Sequence, residues 1–290
     1  MRLGTRASAL ALAQAHWVAD RLGGDAEIVK VTTLGDRGAG QQDKSRWVSE
    51  LERALFDGRI DIAVHSAKDV PTELPDGLEL VAIPERADAR DAICGAAGLA
   101  DLAHGARVGT SSLRRAAQLR SVREDLEIVQ LRGNVDTRLR KLSAGEADAL
   151  VLALSGLQRL DRADAAGGVL DEFVPAAGQG ALALEGRSGA IDPAVLAAVI
   201  DPVAMACVTA ERELVHGLGA SCNTPVGAHA TQSADGQLTL TGWGGLPDGS
   251  AWLRDEVTGE PGAVGRECAD RMLSAGAGEL LRQAERAVMA

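Results

Sequence analysis

Short β-rich runs alternate with helical patterns through the first two thirds of this chain, and that alternation limits the possible folds more than any other feature. Candidate strands cover residues 28–31, 60–64, 78–83, 106–108, 127–131 and 149–153. Between them Trp47, Val48, Leu51 and Leu55 fall on one helical face, as do Val135, Leu139 and Leu142. Such alternation predicts α/β architecture with parallel or mixed sheets covered by helices. Ligands of such sheets sit at the carboxyl ends of strands, where the loops are. After Asp201-Pro202 the character changes: residues 203–214 read as a helix, and 226–232, 238–243 and 251–257 as strands separated by turn residues. Residues 263–289 read as one long amphipathic helix, so a smaller α+β domain with an antiparallel sheet fits this region. Segments 86–90 and 174–180 are candidates for a two-stranded hinge between the first two domains.

With 46% apolar but only 2% aromatic residues and no Tyr, core volume must come from Ala, Val, Leu and Ile. The shortage of aromatics weakens a single-stranded nucleic-acid reading, which relies on stacking platforms. A formal net charge of −11 weakens it further. Met1 to Arg6 lead straight into strand and loop without a charged-then-apolar leader, so the expected location is the cytoplasm. No apolar run reaches the roughly 18 residues of a membrane span. Cys94, Cys207, Cys222 and Cys268 have no C-x-x-C spacing, and the five histidines form no H-E-x-x-H pattern. Free thiols and no metal are expected.

Against that acidic total, residues 107–141 carry nine basic and four acidic side chains, a local charge of +5. The excess lies in T-S-S-L-R-R at 110–115 and L-R-G-N-V-D-T-R at 131–138, each after an apolar run and before an amphipathic one. A solvated charged face is one reading. A cradle of loop amides and guanidinium groups around an anion is the other, favoured by the Thr, Ser, Gly and Asn of the loops. Ser111 or Ser112 is a candidate cap for the helix bearing Arg114 and Arg115, and Asn134 for the next. Several bidentate donors suit a ligand with several carboxylates or phosphates.

Other loops at strand ends also carry polar groups. Gly4 to Ser8 forms a further candidate cradle, and 37–44 has the composition of a lid or disordered loop. Asp69, in V-H-S-A-K-D-V-P, is a candidate acid, base or cation stabiliser, or a turn and capping residue. Cys222 sits in the turn-rich G-A-S-C-N-T-P, where a thiol gains nothing from burial, whereas the other three cysteines lie among apolar residues.

Taken together these residues resemble the hydroxymethylbilane synthase family, also called porphobilinogen deaminases, of tetrapyrrole biosynthesis. The resemblance is collinear from Arg2 to the final helix and is carried by D-I-A-V-H-S-A-K-D-V-P from Asp61, V-G-T-S-S-L-R-R from Val108, L-R-G-N-V-D-T-R-L from Leu131 and A-A-G-Q-G-A from Ala176. It implies two periplasmic-binding-protein-like α/β domains around a hinged cleft, 1–86 with 179–200 and 87–178, plus an α+β third domain, 201–290. It also implies a transferase that deaminates porphobilinogen and joins four units head to tail on a covalent dipyrromethane cofactor. Hydrolysis then releases hydroxymethylbilane. By resemblance Cys222 is the thioether attachment point and Asp69 the catalytic carboxylate, which stabilises the electron-poor azafulvene left by ammonia. Lys68, Thr110, Ser112, Arg114, Arg115 and Arg132 correspond to cofactor contacts, and Arg6, Ser8, Arg138, Arg159 and Gln179 to substrate contacts.

A cytoplasmic monomer without nucleic-acid or membrane partners is implied as well. The lid departs from the family's K-G-x-F-x-K-E-L-E pattern: Lys44 remains, but Ser45 replaces Gly, Trp47 replaces Phe and Ser49 replaces the second Lys. Ser221 stands where the family has a second Gly before the cysteine. A two-domain solute-binding protein and a polyanion-binding module are the competing classes. The third domain and the placement of Cys222 disfavour the first, and the acidic total disfavours the second.

Overall fold

The computed structural model describes residues 1–32, 45–221 and 224–289, with 45–47 described as backbone only. The chain begins with β1 (Arg2–Thr5), α1 (Ala9–Arg21), β2 (Glu27–Lys30), α2 (Ser45–Phe56), β3 (Ile62–Ser66) and β4 (Leu78–Ala82). It continues through β5 (Asp91–Cys94), β6 (Arg107–Gly109), α3 (Leu113–Val122), β7 (Glu127–Val129), α4 (Val135–Ser143), β8 (Ala149–Ala153), α5 (Leu154–Gln158) and β9 (Gly168–Leu170). Strand β10 (Leu182–Arg187) then returns to the first sheet, giving the order β2-β1-β3-β10-β4, while the second sheet runs β7-β6-β8-β5-β9. In each, four strands run in one direction and one inserted strand, β10 or β5, is antiparallel to both neighbours. After the short α6 (Pro193–Leu196) come α7 (Pro202–Gly217), the antiparallel strands β11 (Val226–Gln232), β12 (Leu238–Gly245) and β13 (Trp252–Gly259), and helices α8 (Val264–Ser274) and α9 (Ala277–Met289).

Period-two burial explains the strands. Along β8, Ala149 and Val151 enter one core cluster, whereas Leu150 and Leu152 enter the cluster on the opposite face. A strand buried on both sides reads as an apolar run, and each fully buried leucine contributes about 1.5–3 kcal/mol. Val48, Leu51 and Leu55 are buried, as their shared helical face required. The third unit packs Leu214 of α7 against Leu238 and Leu240 of β12 and Cys268 and Met272 of α8.

Three features differ from expectation. Strands β5 and β10 escape the apolar-run criterion because each buries a carboxylate, Asp91 and Glu185, both fully enclosed. The single helix expected over 263–289 is two, because Gly276 adopts φ +101° between α8 and α9. The expected two-stranded hinge is not a ladder. Segments 86–90 and 174–180 instead touch through Ala87 N–H to Gly180 O at 3.2 Å and Gln179 Nε2 to Ala89 O at 2.6 Å. Gly180 has φ +86°, and a Cβ there would come 2.3 Å from Ala87 O, so this close approach requires glycine.

Candidate active site

A cleft of about 590 Å³ opens where the strand-end loops of the two α/β sheets meet the loop after α7. Its lining includes Lys68, Asp69, Ser112, Arg138, Ser221 and Thr224. Strand β3 ends in a one-turn 3₁₀ helix, Ala67–Asp69, closed by Val70 N–H to Ala67 O at 3.2 Å. This turn presents Asp69 at the carboxyl end of a central strand. Asp69 also borders a smaller recess of about 70 Å³ shared with Arg6, Ser8, Gln14 and His65. Among the described residues no hydrogen-bond donor engages the Asp69 side chain, so its oxygens are available to a ligand. Ser8 Oγ caps α1 by accepting from Ala11 N–H at 3.3 Å, which fixes that edge of the recess.

The second sheet supplies the cations. Ser112 is the cap of α3, accepting from Arg115 N–H at 3.4 Å, and Thr110 Oγ1 accepts from Ser112 N–H at 3.2 Å. That loop geometry turns Arg114 and Arg115 inward onto Asp91, to which they donate at 2.8 Å each through Nη2, with Arg115 Nε adding a bond at 3.0 Å. Gln179 Nε2 donates to Asp91 at 2.8 Å, and Gln179 Oε1 accepts from Arg115 Nη2 at 3.3 Å and Lys68 Nζ at 3.4 Å. Burial alone would raise the Asp91 pKa. The two guanidiniums and the bonds from Arg115 and Gln179 outweigh that effect and hold it below the usual carboxylate range. Two arginines sharing one carboxylate leave one net positive charge in the cleft wall. Desolvation and then the field of Arg115 push the Lys68 ammonium down to about 8.

Arg138 is held differently. Asn134 caps α4, accepting from Thr137 N–H at 2.9 Å, and Arg138 Nε donates to Gly133 O at 2.8 Å and Nη2 to Ser111 Oγ at 3.2 Å. Desolvation, then Arg115, lowers its pKa to about 10. No carboxylate among the described residues pairs with it, so it faces the cleft as a charged group anchored only by neutral acceptors.

Not every expected contact is in the lining. Thr110 is buried behind it, Arg132 is exposed before α4, and Arg159 donates to Gly180 O at 2.7 Å, with burial lowering its pKa to about 10. Gln179 does border the cleft, although its amide is committed to the Asp91 network. Lys44 and Cys222 lie outside the described residues, as does the side chain of Trp47. Ser221 and Thr224, the nearest described residues before and after Cys222, line the cleft, and Thr224 Oγ1 donates to Ser221 O at 2.7 Å. Cys94, Cys207 and Cys268 are buried, and desolvation raises all three thiols, Cys94 and Cys268 to about 11. No group of three metal-ligating side chains occurs among the described residues, and no described helix is long and apolar enough to cross a membrane.

Sequence reasoning missed Asp91, Glu211 and Arg212. Asp91 had one readable signal, an acidic residue at the head of the apolar run A-I-C. Glu211 and Arg212 had none, since A-E-R-E-L resembles any solvent-facing helical stretch.

Residues 1–193 match the family described as porphobilinogen deaminase, dipyromethane cofactor binding domain, and 205–274 match porphobilinogen deaminase, C-terminal domain. Proteins named porphobilinogen deaminase are similar along nearly the whole chain. That of Deinococcus deserti is 48% identical, covering 96% of this chain and 97% of its own. The Deinococcus radiodurans protein is 47% identical over the same shares, and the Thermus thermophilus protein 45% over 97% and 98%. Among solved structures, an ABC transporter periplasmic substrate-binding protein from Coxiella burnetii overlaps 71% of this chain and 94% of its own, at 15% identity and TM-score 0.43. Two domain matches in family order, with near full-length identity approaching one half, place this chain in the porphobilinogen deaminase family.

Proposed function

We propose that this chain deaminates porphobilinogen, joins four units head to tail on a dipyrromethane held by Cys222, and releases hydroxymethylbilane by hydrolysis. The observation that carries this reading is one cleft lined by Asp69, whose carboxylate has no hydrogen-bond donor among the described residues, by the cations Lys68 and Arg138, and by Ser221 and Thr224, the described residues nearest Cys222. The donor set fits a polycarboxylate bearing pyrrole N–H groups. Ammonium, guanidinium and hydroxyl groups suit acetate and propionate arms, and a carboxylate suits the N–H. Arg114, which also lines the cleft, keeps a buried Nε with no hydrogen-bond partner among the described residues, as a cradle awaiting an acceptor would.

The dipyrromethane, when bound, supplies a tethered pyrrole with a free α-carbon to which units are added. Asp69 accepts the hydrogen bond of the incoming pyrrole N–H and stabilises the positive charge that develops as ammonia departs. Lys68, Ser112 and Arg138 receive carboxylates, while Arg6 and Ser8 orient the substrate in the recess that shares Asp69. Thr110, Arg114, Arg115 and Gln179 act through the Asp91 network, which sets the potential of the wall. Each added unit brings two carboxylates, and we assign Arg132 and Arg159 to later positions of the growing product. We assign Lys44 and Trp47 to a lid.

Sheet membership supports division of the chain into 1–86 with 179–200, 87–178 and 201–290. We further propose a cytoplasmic monomer without nucleic-acid or membrane partners, in keeping with the acidic net charge. Intact mass under denaturing conditions tests the function: an adduct of two condensed pyrrole units is expected on the purified protein and absent from Cys222→Ser. An unmodified wild-type mass together with no consumption of porphobilinogen would overturn it.

A further inference from the structure

We propose that Arg212 is a positioning residue for Asp69, fastening the catalytic loop to the helix that leads into the Cys222 loop. The inference rests on Asp69 being the catalytic carboxylate. The 3₁₀ turn ends at Asp69, and Val70 is extended (φ −83°, ψ 128°) ahead of Pro71, which removes an amide donor and breaks any continuing helix. Three successive carbonyls, of Val70, Pro71 and Thr72, are left without a backbone donor among the described residues. Arg212 supplies all three: Nη1 donates to Val70 O at 3.1 Å, and Nη2 to Pro71 O at 2.5 Å and Thr72 O at 3.1 Å. A planar guanidinium is suited to span adjacent acceptors in fixed geometry, as an ammonium is not.

Arg212 is rigidly based. Its neighbour Glu211, about 100° around α7, is fully buried and holds Arg86 at 2.6 Å, Gly178 N–H at 2.7 Å and Ala230 N–H at 2.8 Å. Helix α7 is thus fixed to both crossing segments and to β11, and it ends at Gly217, shortly before Ser221 and the cleft. Through Arg212 the turn that bears Asp69, at the end of β3, is set relative to α7, the helix that precedes Cys222 in the chain.

The test uses the full chain as purified, with Arg212→Met and Arg212→Lys, each alone and with Asp69→Asn. Arg212→Met is expected to lower kcat about tenfold or more through misplacement of the carboxylate, with KM changed less than about twofold. Arg212→Lys recovers part of the loss and guards against a variant that fails to fold. In the Asp69→Asn background Arg212→Met removes little further turnover, because a residue acting through Asp69 has nothing left to position. Hydrogen exchange of the peptide spanning 67–78 is expected to quicken in Arg212→Met while that of 107–122 does not. Equal losses in both backgrounds, or unchanged exchange at 67–78, would overturn the proposal. The wild-type adduct mass separates the two readings: its absence removes the function, whereas the exchange measurement still decides whether Arg212 holds the loop.

Discussion

The two α/β sheets share a plan, four co-directional strands with one inserted antiparallel strand, yet the loops at their strand ends treat charge in opposite ways. In the first sheet the end of β3 leaves the Asp69 side chain without a hydrogen-bond donor among the described residues. In the second, the end of β6 folds Arg114 and Arg115 back onto Asp91, whereas Arg138, which also lines the cleft, has no carboxylate partner among the described residues. The difference teaches that density of charge in a sequence does not measure charge offered to a ligand. Two of the arginines that define the basic segment spend most of their donors internally, and their contribution is one net charge held in the cleft wall.

Replacing Asp91 by Asn is the largest way to break this contrast. Removing one partner of a buried ionic cluster costs about 3–5 kcal/mol, so urea unfolding should show a large loss of stability. The Asp91 pKa is depressed on folding, so its contribution is complete above its unfolded value of about 4 and is lost as pH falls through the lower folded value. The stability gap between wild type and Asp91→Asn is therefore expected to be constant near neutrality and to shrink below about pH 4. A gap that widens in acid would contradict the assignment.

Asp69→Asn probes the other side. Its loss should leave the unfolding transition nearly unchanged but lower kcat about 10²–10³-fold, the scale of removing a preorganised electrostatic partner. Arg138→Ala is expected to act mainly on binding, raising KM about tenfold, equal to about 1.4 kcal/mol, with stability altered by less than about 0.5 kcal/mol. Steady-state kinetics beside thermal melts separate these effects. The smallest expected signal is chemical: under native conditions a thiol reagent should leave Cys94, Cys207 and Cys268 unmodified, because buried thiols with raised pKa present little thiolate. Peptide mapping after labelling reads this directly.

Much of this was legible in the sequence because the physics responsible is local. Alternating apolar runs and helical faces gave the two mixed sheets, and Ser112 and Asn134 marked helix starts through their own side chains. Non-local facts were not legible. Nothing near Asp91 indicates that two guanidiniums will neutralise it, and nothing near Arg212 indicates three carbonyls some 140 residues away that lack donors. Glycine 276 was readable in principle, but the apolar stripe continues on both sides of it and masked the break. Long-range pairing of buried charge has no period, and a period is what a single sequence displays.

The insertion of β10 has a consequence for how the chain acquires its structure during synthesis. Among the described residues strand β4 pairs with β10 alone, and β10 separates β4 from β3. The pairing of His65 with Glu185 spans 120 residues, and the whole second sheet is made in between. A nascent chain ending before Leu182 therefore has β4 without a neighbour and a β3 edge open to solvent, both sites for mispairing. Loop closure over such a distance is slow relative to local structure, so the second sheet is expected to form first. Completion of the first must then wait for a segment that, in space, belongs between two strands made long before it.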